Sequence, residues 1–256
     1  MKVVILAGGL GTRLAEETEM KPKPMVEIGG HPIIWHIMRH YVHHGFSEFV
    51  VATGYKGDDL KRYFLDYRRL QGSVTVDLAT GQPSFHEAEH EPWTVHLIDT
   101  GLGANTGARV KHLQPWLEGG TFMLTYGDGV CNIDLNELAR FHKAHGKLAT
   151  VTAVRPPARF GGLVFDGDLV ADFTEKPQIG EGWINGGFMV MEPGVFEYLN
   201  GANPSLESDA LEHLAADRQL VAYKHDEFWQ CMDTLRDVRL LESLWQSGRP
   251  PWKTWD

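Results

Sequence analysis

The stretch MKVVILAGGLGTRLAEETEMKPKPMV, residues 1 to 26, constrains the chain more than any other. Met1 to Ala7 are rich in Val, Ile and Leu and read as a buried N-terminal strand. That strand runs straight into Gly8-Gly9-Leu10-Gly11-Thr12-Arg13. Glycines at this point let the backbone turn sharply and bring its N–H groups close to an anion, where a side chain would obstruct them. Thr12 adds a hydroxyl donor, and Arg13 a planar cation suited to phosphate oxygens. Lys21-Pro22-Lys23-Pro24 then offers two further cations on a chain stiffened by two prolines. This is the outline of a polyphosphate site.

Two common phosphate patterns do not fit. No Gly-Lys-Ser/Thr follows the glycines, so a Walker loop is excluded. A dinucleotide fingerprint begun at Gly9-x-Gly11 meets Leu14 where its third glycine belongs. A net charge of −10 argues against nucleic acid as a partner, so the cations that handle anionic substrates must be concentrated locally. No apolar run approaches the length of a membrane span. The first strand is too short for a signal segment and no cleavage-site pattern follows it. Cys131 and Cys231 do not make a disulfide framework, which suits a reducing cytoplasm.

Beyond the loop, strand and helix patterns alternate. Helices are expected from His31 to about Gly45, Asp58 to Arg69, Thr106 to Leu117, Leu135 to His145, Glu207 to Asp217 and Leu235 to Gln246. Strands are expected at Phe46–Thr53, Val74–Ala79, Trp93–Ile98, Thr121–Thr125 and Ala149–Arg155, with several more between Leu163 and Glu192. Such alternation implies a mostly parallel sheet with helices on both faces. With no repeat, linker or clear boundary, residues 1–256 read as one domain.

Three further spots carry chemistry. Phe122-Met123-Leu124-Thr125-Tyr126-Gly127-Asp128 is an apolar strand ending in a carboxylate, at the edge where open α/β sheets bind ligands. A hard oxygen donor there suits Mg²⁺ held against a nucleoside triphosphate. Asp233, in Phe228-Trp229-Gln230-Cys231-Met232-Asp233-Thr234, stands where the last helix needs an N-cap. The third is Glu175-Lys176-Pro177 followed by Asn185-Gly186-Gly187-Phe188.

Taken together, L-A-G-G-x-G-T-R-L, K-P-K-P, T-Y-G-D, E-K-P and N-G-G-F resemble the signature of sugar-phosphate nucleotidylyltransferases, and the likeness extends over nearly the whole chain. It implies a Rossmann-like α/β fold with a mixed, mainly parallel central sheet flanked by helices, of the nucleotide-diphospho-sugar transferase type. By this resemblance Leu6, Ala7, Gly8, Gly9, Gly11, Thr12, Arg13, Lys23, Gly127 and Asp128 hold the nucleotide, joined by Thr106 and Arg109 of the T-G-x-R run. Arg13, Lys23 and Lys176 are the implied catalytic cations. Glu175, Lys176, Asn185 and Gly186 take the sugar phosphate. Asp128 and Asp233 hold Mg²⁺, a role compatible with capping. The further blocks W-I-N-G-G-F, F-W-Q-x-M-D-T-L-R-D and P-P-W-K-T-W resemble the family's cytidylyl-transferring branch, implying CTP and glucose 1-phosphate as substrates. A glycosyltransferase would show an Asp-x-Asp run where this chain has Gly127-Asp128-Gly129.

Other features are set aside. His86-Glu87-Ala88-Glu89-His90 fits the H-E-x-x-H zinc pattern, but Pro83 and Pro92 leave little room for its long helix. His36, His40 and His44 repeat at helical spacing and read as surface or interface histidines. Trp245, Trp252 and Trp255 either join the core or, on a Pro-Pro-Trp tail, pack on a neighbouring subunit, which makes a homo-oligomer an expectation.

Overall fold

The computed structural model describes residues 1–11, 14, 20–86, 91–156, 162–166, 169–174 and 182–255, with backbone alone for 162–166 and 169–174. Seven strands form the central sheet: β1 (Val3–Leu6), β2 (Glu48–Thr53), β3 (Thr94–Asp99), β4 (Phe122–Tyr126), β5 (Ala149–Val154), β6 (Ile184–Met191) and β7 (Leu220–His225). Their order is β7-β5-β6-β4-β1-β2-β3. β1 pairs in parallel with both β2 and β4, whereas β6 is antiparallel to its neighbours β5 and β4. This is the mixed, mainly parallel α/β sheet that the family resemblance implies.

Helices cover both faces, so β1 reads as an unbroken apolar run. Val3 and Ile5 point to one layer of the core, Val4 and Leu6 to the other. The first layer is closed by α1 (Ile33–His43), the second partly by α3 (Thr106–His112). Between α1 and α3, α2 (Gly57–Asp66) follows β2. α4 (Gln114–Leu117) then leads into β4, and α5 (Leu135–His145) into β5. α6 (Glu212–Ala216) precedes β7, and α7 (Leu235–Gln246) closes the helical set.

The structure departs from the expectations at identifiable places. The helix expected over 106–117 breaks at Leu113 because Pro115, in the next helix's first turn, has no N–H to continue the ladder. The one expected over 207–217 opens as a π-helical turn, Leu206–Leu211. Among the described residues Ser73–Asp77 pairs only with Gln82–His86, in a ribbon exposed on both faces and outside the central sheet. β7 has weak alternation because it is an edge strand, and the sequence reading passes over it. His86 ends a strand, not a helix, while Glu87 to His90 lie outside the described residues.

His36 and His40 of α1 are not surface residues, whereas His44 just beyond the helix is half-buried. His36 is 1% exposed and His40 3%. The C-terminal tail packs on them: Trp252 Nε1 faces His36 Nδ1 at 3.4 Å, and His40 Nδ1 meets Thr254 Oγ1 at 2.9 Å. Trp252 and Trp255 are buried in their own chain, so the tail is core and gives no support to a contact between subunits. Burial holds both imidazoles neutral, lowering the His36 pKa to about 4 and that of His40 to about 3.

Candidate active site

The carboxyl ends of β1 and β4 lie side by side, with Leu6 in register with Tyr126. Beyond them opens a cavity of about 410 Å³. Its floor is the Leu6–Gly9 backbone with Gly11, and its walls include Lys23, Thr106, Tyr126, Asp128 and Asp233. This is where parallel α/β sheets place their ligands.

Lys23 reaches the cavity from a short 3₁₀ turn, Lys23–Met25, that follows Pro22 and contains Pro24. Its Nζ donates to Asp128 Oδ2 at 2.6 Å and to Asp233 Oδ1 at 2.5 Å. Burial alone would lower the lysine pKa, but the two carboxylates outweigh it and raise the value. Lys21 faces away and pairs with Glu27 at the surface.

A small ribbon brings together carboxylates that are far apart in sequence. Gly129–Cys131 pairs antiparallel with Trp229–Cys231, and Met232 N donates to the Asp128 carbonyl at 2.8 Å. Each aspartate therefore sits just past one end of the same ladder. The capping of α7 falls to Thr234, whose hydroxyl accepts from Asp237 N while the Asp237 carboxylate accepts from Thr234 N. Asp237 also accepts from Asp233 N at 3.1 Å, fixing the backbone from which the Asp233 side chain turns to Lys23.

A family model described as nucleotidyl transferase matches residues 2–248. The protein is 48% identical over 257 residues to glucose-1-phosphate cytidylyltransferase of Salmonella typhi, with all of both chains covered. The chain belongs to the nucleotidyl transferase family. It is also 29% identical over 246 residues to mannose-1-phosphate guanyltransferase of Saccharomyces cerevisiae, covering 93% of this chain and 62% of that one. The solved structure of UDP-glucose pyrophosphorylase complexed with UDP-glucose superposes with a TM-score of 0.68. That match covers 97% of this chain and 99% of the other at 17% identity, and it shows a shared fold.

In this nucleotidyl transferase the T-G-x-R run builds the cavity wall. Arg109 is buried, and its Nη atoms donate to the carbonyls of Gly8, Thr53, Gly101 and Leu102 and to the Thr100 hydroxyl. Its guanidinium thus holds the Gly8 turn in place by hydrogen bonds to the protein itself. Gly107 permits close packing on the 204–206 segment, since a Cβ there would lie 2.8 Å from Leu206 N. Thr106 Oγ1 donates to Glu207 Oε2 at 2.6 Å.

Of the residues expected to take the sugar phosphate, Asn185 and Gly186 lie near the start of β6, with Asn185 beside Tyr126. Asn185 Oδ1 accepts from Gly187 N at 2.8 Å, and the Gly186 carbonyl accepts from Trp229 Nε1 at 2.7 Å. Thr12, Arg13, Glu175 and Lys176 lie outside the described residues. Sequence reasoning missed Glu207 and the Tyr126 side chain. Tyr126 sits inside the T-Y-G-D motif but served there only as a strand residue, and Glu207 lies in no motif.

Proposed function

We propose that this nucleotidyl transferase moves CMP from CTP to α-D-glucose 1-phosphate, giving CDP-glucose and diphosphate. The observation that carries the reading is the full-length 48% identity with a glucose-1-phosphate cytidylyltransferase. The cavity agrees with it, having a backbone floor at the carboxyl ends of β1 and β4 and a lysine between two carboxylates.

A phosphate oxygen of glucose 1-phosphate attacks the α-phosphorus of CTP. The new P–O bond forms as the bond from that phosphorus to the β-bridging oxygen breaks, and diphosphate leaves with the electron pair. The attacking oxygen is already ionised, so no general base is required. Catalysis then reduces to positioning in line and neutralising charge. Arg13 and Lys23 stabilise the departing diphosphate, and Lys176 lies between the two anions as they approach. Glu175, Asn185 and Gly186 hold the sugar. The backbone from Leu6 to Gly11, with Thr12, Thr106, Arg109 and Gly127, shapes the nucleotide side.

Asp128 and Asp233 fit Mg²⁺: they are hard oxygen donors that already converge on one cation, the Lys23 ammonium. No described group of three or more His, Cys, Asp or Glu side chains forms a metal cage. Two carboxylates completed by phosphate and water suit Mg²⁺, which when bound would neutralise charge on the triphosphate.

The test is diphosphate release from glucose 1-phosphate and Mg²⁺ with CTP, UTP, ATP, GTP and dTTP in parallel. Preference for CTP is the expected result. Release with another nucleotide alone would discard the cytidyl assignment, and none with any nucleotide would discard the reaction.

A further inference from the structure

Glu207 stands on the π-helical turn Leu206–Leu211, a helix form frequent at functional sites, and is half-buried. Its carboxylate is fully engaged. Oε1 accepts from the Tyr126 hydroxyl at 2.6 Å; Oε2 accepts from Thr106 Oγ1 at 2.6 Å and from Ser205 Oγ at 2.9 Å. Burial favours the neutral acid, but the hydroxyl donors outweigh it and keep the carboxyl below its usual pKa. Three donors aimed at one partly buried carboxylate fix the direction of every hydroxyl proton around it.

Those directions propagate. Since the Tyr126 O–H donates to Glu207, the phenol oxygen can only accept on its other side, and Asn185 Nδ2 faces it at 3.5 Å. That contact stands at the long end of the hydrogen-bond range. Asn185 Oδ1 is meanwhile committed to Gly187 N. The amide therefore has one orientation, with its second Nδ2 hydrogen left for a ligand. On the opposite side, Thr106 Oγ1 donates to Glu207 and accepts from Leu206 N at 2.9 Å, which fixes the first residue of α3 at the cavity wall.

We propose that Glu207 is a positioning residue that ties the nucleotide wall at Thr106 to the sugar-binding amide of Asn185 through Tyr126. It rests on the cytidylyltransferase reading above, because Asn185 meets a sugar only in that reaction. The carboxylate matters because it only accepts. A glutamine has the same shape but must turn its NH₂ either towards Tyr126 or towards Thr106 and Ser205 together. Turned towards Tyr126, it makes the phenol an acceptor there and points the phenol hydrogen at Asn185 Nδ2, donor against donor. The asparagine amide must then flip, which places its Oδ1 against Tyr126 and its NH₂ against Gly187 N.

The experiment measures diphosphate release from CTP and glucose 1-phosphate for wild type, Glu207→Gln, Tyr126→Phe and the double variant, with thermal unfolding of each. If the wild type releases no diphosphate, the functional reading fails and the inference falls with it. Given an active wild type, Glu207→Gln is expected to raise KM for glucose 1-phosphate about tenfold, with a smaller change in kcat. The double variant is expected to be little worse than Glu207→Gln, because both remove one relay. Unchanged KM for the sugar phosphate, a change in melting temperature alone, or fully additive losses would each overturn the proposal. Should Glu207→Gln not fold, Tyr126→Phe decides: its KM for glucose 1-phosphate must rise, and an unchanged value overturns the proposal.

Discussion

Arg109 Nη2 donates to the Gly8 carbonyl at 2.9 Å, and the same guanidinium occupies the space a Gly8 side chain would need. A Cβ on Gly8 would lie 2.2 Å from Arg109 Nη1. Gly8→Ala is therefore expected to push the guanidinium from its carbonyls, costing about 1–3 kcal/mol as an overpacked site does. Thermal unfolding reads the loss, and KM for CTP should rise with it. A variant as stable and as tight for CTP as wild type would break the link between Arg109 and the floor of the cavity.

Asp128→Asn keeps the shape of the cavity but removes one of the two negative charges that face Lys23. Turnover is expected to fall by about 10²–10³-fold with the fold intact, in the range of losing one charge-stabilising group. Steady-state kinetics with circular dichroism checks this. Activity within a few-fold of wild type would remove Asp128 from the reacting centre.

Lys23→Met takes from Asp128 and Asp233 the ammonium that both carboxylates meet. Their side chains retain 31% and 18% of their exposure, so solvent softens the repulsion, and the destabilisation is expected to be about 1–2 kcal/mol. Added Mg²⁺ should raise the melting temperature of this variant more than that of the wild type. Equal shifts would show that the two carboxylates do not share a cation.

Acid should loosen the α1–tail contact. His36 and His40 are held neutral with pKa values of about 4 and about 3, so between pH 6.5 and those values the unfolded chain binds protons that the folded chain refuses. Their contribution to stability is complete above about pH 6.5 and declines as pH falls, by about 1.4 kcal/mol per pH unit for each histidine. Burial is the first cause for both; neighbouring His31 adds to the effect at His36, and His44 and His43 at His40. Urea unfolding from pH 7 to 4.5 reads the slope, and His40→Gln should flatten it.

Thr234→Ala removes the hydroxyl that caps α7 and is expected to cost about 1 kcal/mol. Because Asp237 also holds Asp233 N, the loss should reach catalysis, with KM for Mg²⁺ rising in parallel. A purely thermal effect would confine Thr234 to the helix.

The local patterns were legible wherever one period dominated. β1, α5 and α7 fall where their apolar spacing and end signals put them, because both faces or one broad stripe are buried. The short ribbon partners and edge strand β7 were not, since three-residue pairings and half-exposed strands carry almost no periodicity. At the cavity, Lys23, Asp128 and Asp233 were legible as motif residues, while the 2.5 and 2.6 Å contacts joining them depend on chain returning from the far end. Arg109 illustrates the opposite limit. A cation beside a phosphate loop suggests an anion contact, yet its Nη donors meet carbonyls that only the folded chain assembles around it.

The Gly129–Cys131/Trp229–Cys231 ribbon gives the protein a late-closing lock. As the chain leaves the ribosome, β1, β2, β3 and β4 can pair before the residues that complete the acidic pair have been translated. The nascent protein then presents its glycine floor before Asp233 can join Asp128 at the Lys23 ammonium. By the same connection, a cut between β7 and Trp229 would part Asp233 from Asp128 along the chain while leaving all seven strands of the central sheet on one piece.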